Sequence, residues 1–328
     1  MKDLLVVGGG IAGAAAAYWA AQSGWRVTVV DSGQATASSV PSALLNPVRG
    51  QSGKVPPRAA EGLALTWALI ERLSAQGHHI PHGRTGVLRP VPDAGVQARF
   101  QRNLGDLPHE WWTPQQASGL APGWHVALYV PQGGWLDGPA LCRALLAASG
   151  AQLITAEVKE VTGAGGRLTD GRILSADALL WCGGSFGAGR RPAHTPAHPP
   201  IQSHRAGSLL TLAGSTGPRP LSFGAYLAPA AQGSVLGATF ERPAAAWSPV
   251  TLPLASLDWL LDRGQRLRSL AGLEVTGSWS GTRLSGLRAG PVGPAEWELS
   301  GLGSKGYLLG PLLARELVGR LSTKSESL

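Results

Sequence analysis

Gly8, Gly10 and Gly13 stand at Gly-x-Gly-x-x-Gly spacing in VVGGGIAG, between the apolar run Leu4–Val7 and a helix-like stretch. Asp31 closes the next apolar run, Val27–Val30. Glycines so spaced serve a dinucleotide pyrophosphate: the first permits a tight turn, the second lets backbone approach phosphate, and the third lets the helix pack closely on its strand. The phosphates then meet free N–H groups and the positive end of the helix dipole, with Ile11 and Ala12 opening that helix. A carboxylate about 20 residues further on accepts hydrogen bonds from a ribose 2′-hydroxyl. Asp31 has that place, which argues against NADP and leaves NAD and FAD open.

The elements that must position these residues are legible around them. AGAAAAYWAAQSG reads as a helix of small residues, Gly24 closes it, and RVTVVD reads as the following strand. Together they form a whole βαβ half, which an ordinary glycine-rich turn would not need. Tyr18 and Trp19 in that helix are read as packing rather than chemistry.

At 328 residues and 44% apolar content the chain can bury a large core. Cys142 and Cys182 are too few for a disulfide framework and lack metal-ligand spacing. With no leader-like segment ahead of residue 4 and no apolar run of membrane-spanning length, the expectation is a soluble, cytoplasmic protein without a membrane partner. The net charge of +8 points to an anionic partner such as nucleic acid, yet no run of basic residues marks a patch, and codon bias toward arginine accounts equally well for the excess.

Further along, a helical pattern covers Glu61–Gln76, and TGVLRPV and WHVALYV read as strands. The segment 110–120 reads as irregular or helical. From Leu136 the α/β pattern returns, with a helix over Gly138–Ser149, the β-run AQLITAEVKEVTG, a hairpin signal at Asp170–Gly171 and a strand over Ala178–Cys182. Strands are expected at Ser208–Ala213, Ala225–Pro229 and Ser234–Thr239, then a helix near Ser256–Leu270 and a glycine-rich end closing in a helix. His194 and His198 lie among prolines, so they read as linker rather than metal ligands. The fold class is α/β: a Rossmann-type domain, discontinuous over residues 1–85, 136–200 and 275–328, with a β-rich substrate domain from 86–135 and 201–274.

Five blocks in order resemble the D-amino-acid oxidase family of FAD-dependent amine oxidases, which includes glycine and sarcosine oxidases. They are the fingerprint through Asp31, GGWLDGPALCRALL, GRILSADALLWCGGSFG, YLAPAAQGSVLGATFE, and GTRLSGLRAGPVG with GLGSKGYLLGPLLARELV. VPQGGWLDGPAL and GLGSKGYLLGPLLA further resemble the flavin-dependent half of bifunctional tRNA wobble-uridine-modifying enzymes. The resemblance implies FAD as cofactor, with Gly8, Gly10, Ile11, Ala12, Gly13, Asp31 and Ser32 on its ADP part and Val158 meeting the adenine through its backbone. It implies Gly183, Gly184 and Ser185 near the pyrophosphate, Ser38 in the loop beside the ring, and Gly303, Ser304, Lys305 and Gly306 against the ring at a helix N-terminus. The chain departs from the family with Ala37–Val40 in place of an acid-Gly-Ala-Ser-Gly-Asn loop, Leu284 for a proline and Arg288 near a usual aspartate.

Oxidation of such an amine needs a C–H bond aimed at the flavin and an anchor for the neighbouring carboxylate. Within the resemblance Arg283 is that anchor, Tyr226 a second hydrogen-bond donor and Lys305 a cation near the ring, with Trp135 at the mouth. The implied reaction is hydride transfer from the carbon beside a secondary amine, hydrolysis of the imine to glyoxylate and a primary amine, and reoxidation by oxygen. The substrate expected first is the carboxymethylaminomethyl group of a tRNA wobble uridine. A free small amino acid such as glycine or sarcosine is the alternative, and a non-catalytic flavoprotein that binds RNA or a protein is a third.

Overall fold

The computed structural model describes residues 1–188, 201–241, 243–244, 246–249 and 251–326. Its parallel layer runs Glu296–Leu302, Ala178–Trp181, Asp3–Val7, Arg26–Asp31 and Gln152–Thr155, each strand parallel to the next. The fingerprint strand is central, and both of its faces are covered. Leu4 and Val6 join a core under helices, while Leu5 and Val7 pack toward the small antiparallel sheet of Val158–Thr162, Gly165–Leu168 and Ile173–Leu174. Burial on both faces explains why the strand reads as an unbroken apolar run.

The helix Ile11–Gln22 lies between Gly138–Ser149 and Gly306–Glu326. Ala14 to Ala17 are fully buried there, so side chains no larger than methyl let three helices and a sheet approach one another. Tyr18 is buried in the same core, and the Trp19 indole donates to the Pro311 carbonyl at 3.1 Å. Both are packing residues, as expected.

Beyond Glu296–Leu302 the sheet continues antiparallel except for one parallel pairing, of Leu221–Phe223 with Val87–Val91. The long strand Glu274–Pro291 pairs with Glu296–Leu302 on one side and Ser203–Ala213 on the other, which makes it common to both layers. Ser234–Gly237, Ala225–Pro229, Leu221–Phe223, Val87–Val91, Val126–Val130 and Glu110–Trp112 follow, and Pro243–Ala244 pairs with Ser203–Ala213 off this path, for a sheet of 14 strands among the described residues. Its faces divide the work. Leu209, Ala228 and Val235 pack with Tyr226 and Trp279 on one face, and Leu210, Leu212, Leu227 and Leu236 pack on the other with Leu260 and Leu267 of the helix Leu254–Leu267.

The architecture is mixed α/β, a Rossmann-like layer joined to a β-rich half. Three local readings are corrected. Glu110–Trp112 is a strand, not irregular or helical; AQLITAEVKEVTG is two strands in different sheets; and the glycine-rich end holds two long strands before its helix. The break in the second case comes at Ala156, whose N–H donates to the Asp31 carbonyl at 2.9 Å. His194 and His198 lie outside the described residues. Among the described residues no cluster could hold a metal, and no helix is long and apolar enough to cross a membrane.

Candidate active site

Gly8 takes a φ of +102° and its N–H donates to the Val30 carbonyl at 2.7 Å, so the turn folds back on its neighbouring strand. A Cβ on Gly8 would lie 2.5 Å from the Cys182 carbonyl oxygen. Gly10 caps the following helix without a side-chain bond, and the first turn carries no acid. The helix N-terminus is therefore open to an anion, apart from the Ile11 N–H, which donates to the Ser38 hydroxyl at 3.1 Å. The Asp31 carboxylate accepts the N–H of Gly9 at 2.6 Å and of Gly33 at 2.8 Å. Two backbone donors fix its orientation and leave further lone pairs for a ribose.

One cavity of about 990 Å³ runs from this turn to the antiparallel sheet. Gly8, Gly10, Ile11, Ala12, Asp31, Ser32 and Ser38 line it. Val158, Gly183, Gly184 and Ser185 line it as well, the Ser185 hydroxyl donating to the Thr282 carbonyl at 2.7 Å. Gly303, Ser304, Lys305 and Gly306 reach it from a single turn, Gly303–Lys305, that leads into the last helix. Gly13 sits behind the turn, pressed on Gly8, and serves packing. The glycine cradle, the open helix end and the fixed carboxylate suit an adenine dinucleotide.

At the other end Arg283 projects from the long strand and Tyr226 from Ala225–Pro229, and both line the cavity. The Arg283 guanidinium lies 4.9 Å from the Phe240 ring centroid, and its buried Nη2 has no hydrogen-bond partner. Burial holds it below its ordinary pKa, Tyr226 offsets part of this, and Arg205 adds like-charge repulsion from the directly opposite position on Ser203–Ala213. An anion arriving here relieves both costs. The half-buried Tyr226 donates to the Ser42 carbonyl at 3.2 Å, and burial holds its hydroxyl above the ordinary range. Lys305 is lowered by burial and then by Arg49, so those two cations stand near one another.

Several lining residues were not found from sequence: Arg49, Lys54, Arg89, Phe240, Trp259 and Arg263. Arg89 is 1% exposed, with Nη1 donating to the Val48 carbonyl at 3.0 Å, Nη2 to the Gly50 carbonyl, and the Phe100 ring 5.5 Å away. Its burial pulls the guanidinium down to about 10. An arginine inside the otherwise apolar run VLRPV was the available signal; Trp259 and Arg263 share one helix, four residues apart, and Arg49 and Lys54 bridge one another in one loop, but no motif joins these to each other or to Phe240. Trp135 is corrected: it is buried in the small sheet of Ala43–Leu45, Gly134–Leu136 and His82–Gly83, its indole against Gly83.

A nucleotide cradle joined to a cation-lined pocket in this two-layer fold defines an oxidoreductase that uses a dinucleotide cofactor. Residues 3–320 match the DAO family, described as FAD dependent oxidoreductase, and the chain belongs to that family. It is an FAD-dependent oxidoreductase. A curated relative from Caulobacter sp., the tRNA 5-methylaminomethyl-2-thiouridine biosynthesis bifunctional protein MnmC, is 30% identical over 98% of this chain and 54% of its own length. The chain spans about half the length of the curated relatives it matches. Iminodiacetate oxidase from Chelativorans sp. BNC1 superposes with a TM-score of 0.82 at 23% identity, covering 96% of this chain and 94% of that one. Glycine oxidase from Geobacillus kaustophilus gives 0.81 at 24% identity, covering 98% and 95%.

Proposed function

We propose that the enzyme oxidises a small amine bearing a carboxylate, of the glycine or N-substituted glycine type. The observation that carries this is the buried, unpartnered Nη2 of Arg283 in a cavity shared with Tyr226. Arg283 would clamp the carboxylate, and the Tyr226 hydroxyl would turn from the Ser42 carbonyl to the same group. That fixes the carbon beside the nitrogen, and positioning supplies most of the catalysis. FAD, when bound, accepts the hydride from that carbon. Water then adds to the resulting C=N bond, and glyoxylate and an amine leave, the amine proton having passed to solvent.

The FAD would rest its pyrophosphate on Gly8, Gly10, Ile11 and Ala12, with Gly183 and Gly184 beside it, and its ribose on Asp31 and Ser32. Val158 would meet the adenine. Ser38, Gly303, Ser304, Lys305 and Gly306 would flank the ring, where Lys305 and the helix end favour the negative charge that hydride transfer creates. In this reading the nucleotide-binding domain is residues 1–85, 136–200 and 275–328, and the substrate domain 86–135 and 201–274.

A second reading places the carboxylate-bearing amine on a tRNA wobble uridine, as the relatives named MnmC suggest, and the net charge of +8 suits it. Solved neighbours named glycine and iminodiacetate oxidases favour the small substrate. The deciding experiment supplies the FAD-loaded protein with glycine, sarcosine and undermodified tRNA, and measures glyoxylate together with the nucleoside profile. Glyoxylate from the free amino acids supports the proposal; loss of the carboxymethyl group from tRNA alone overturns it.

A further inference from the structure

The cavity is lined by more cations than one carboxylate requires. Arg49, Lys54, Arg89, Arg263, Arg283 and Lys305 face it, against the carboxylates Asp31 and Glu157. Both acids stand at the nucleotide end, since Asp31 closes the second strand and Glu157 adjoins Val158. Arg89 is 1% exposed and held by the Val48 and Gly50 carbonyls, which leaves only its buried Nε without a partner, and Arg49 and Lys54 are exposed to water. Arg263 differs. Its side chain is 37% exposed, yet its Nε is buried and makes no hydrogen bond. The neighbouring Asp262 carboxylate pairs with that nitrogen only at 4.0 Å, beyond hydrogen-bond reach, and lies closer to Arg266, at 3.1 Å.

Arg263 repeats the arrangement of Arg283. Its guanidinium lies 5.6 Å from the Trp259 ring centroid, as that of Arg283 lies 4.9 Å from Phe240, and both rings line the cavity. An aromatic backing fixes the plane of a guanidinium while leaving its N–H edge free for a planar anion. Phe240 is 59% exposed, which places this half of the site at the opening, where a longer ligand can extend.

We propose that Arg263 is a second anion-binding residue of the same site, and that the substrate is a secondary amine with two acidic groups, one held by Arg283 and one by Arg263. This rests on the small-amine reading above. The smallest member of the class is iminodiacetate, whose nitrogen lies between two carboxymethyl groups. Sarcosine is its counterpart with one carboxylate.

The test compares kcat/KM for iminodiacetate and sarcosine in the FAD-loaded wild type and Arg263→Gln. The expected result is at least a 10-fold preference for the diacid in the wild type, and a loss on Arg263→Gln at least 10-fold larger for the diacid than for the monoacid. Thermal unfolding supplies a second readout with glutarate and butyrate, the non-oxidisable carbon counterparts of the two amines. Glutarate should raise the midpoint of the wild type more than butyrate does, and that difference should shrink in the variant. Equal losses for both amines, no wild-type preference, or a variant effect confined to tRNA binding would overturn the second subsite while leaving Arg283 in place. Oxidation of neither amine would bring down the small-amine reading and this inference with it.

Discussion

The Tyr307 hydroxyl donates to the Ser38 carbonyl at 2.5 Å, which ties the start of the last helix to the loop that follows Asp31. Both residues line the cavity, so one bond closes its wall between segments far apart in sequence. Tyr307→Phe leaves that carbonyl without its donor. The expected cost is about 1 to 3 kcal/mol of stability with faster release of FAD, read by thermal unfolding and flavin fluorescence.

Gly13 allows no side chain, because a Cβ there would lie 1.8 Å from the Gly8 carbonyl oxygen. Gly13→Ala must displace the turn that cradles the phosphates, and the purified protein should be colourless or insoluble. Gly319, exposed in the last helix, meets nothing within 4 Å. Gly319→Ala should stabilise by about 1 kcal/mol and keep FAD, which separates helix propensity from close approach.

Burial pushes the Cys142 thiol from its ordinary 9.0 up to about 12, with the Tyr307 hydroxyl opposing part of the rise. A thiol raised in the folded state contributes stability in full below its unfolded value and loses it as pH climbs through the folded one. The midpoint of thermal unfolding should therefore fall across pH 9 to 12, and Cys142→Ala should fall less steeply over that window. Equal slopes would remove the thiol from the account.

What could be read from sequence follows from how local each constraint is. Gly8 answers to a φ of +102° in its own turn, Gly13 to the Gly8 carbonyl of that turn, and Asp170–Gly171 to a hairpin between Gly165–Leu168 and Ile173–Leu174, so all were legible. Glu110–Trp112 was not, because three residues carry too little alternation and the strand exists only by pairing with Val126–Val130. The long strand Glu274–Pro291 was hidden by its glycines: Gly286 takes a φ of +100° where the register with Glu296–Leu302 shifts. Arg263 and Phe240 escaped because only the folded sheet and its covering helix bring them to one cavity.

The central claim is that Arg283 anchors the carboxylate of the amine being oxidised. Its most direct test is anaerobic reduction of bound FAD, followed by loss of visible absorbance, in wild type and Arg283→Gln with sarcosine and iminodiacetate. The account predicts that the variant still holds FAD but is reduced on the order of 100-fold less efficiently. Reduction at the wild-type rate in the variant would contradict it.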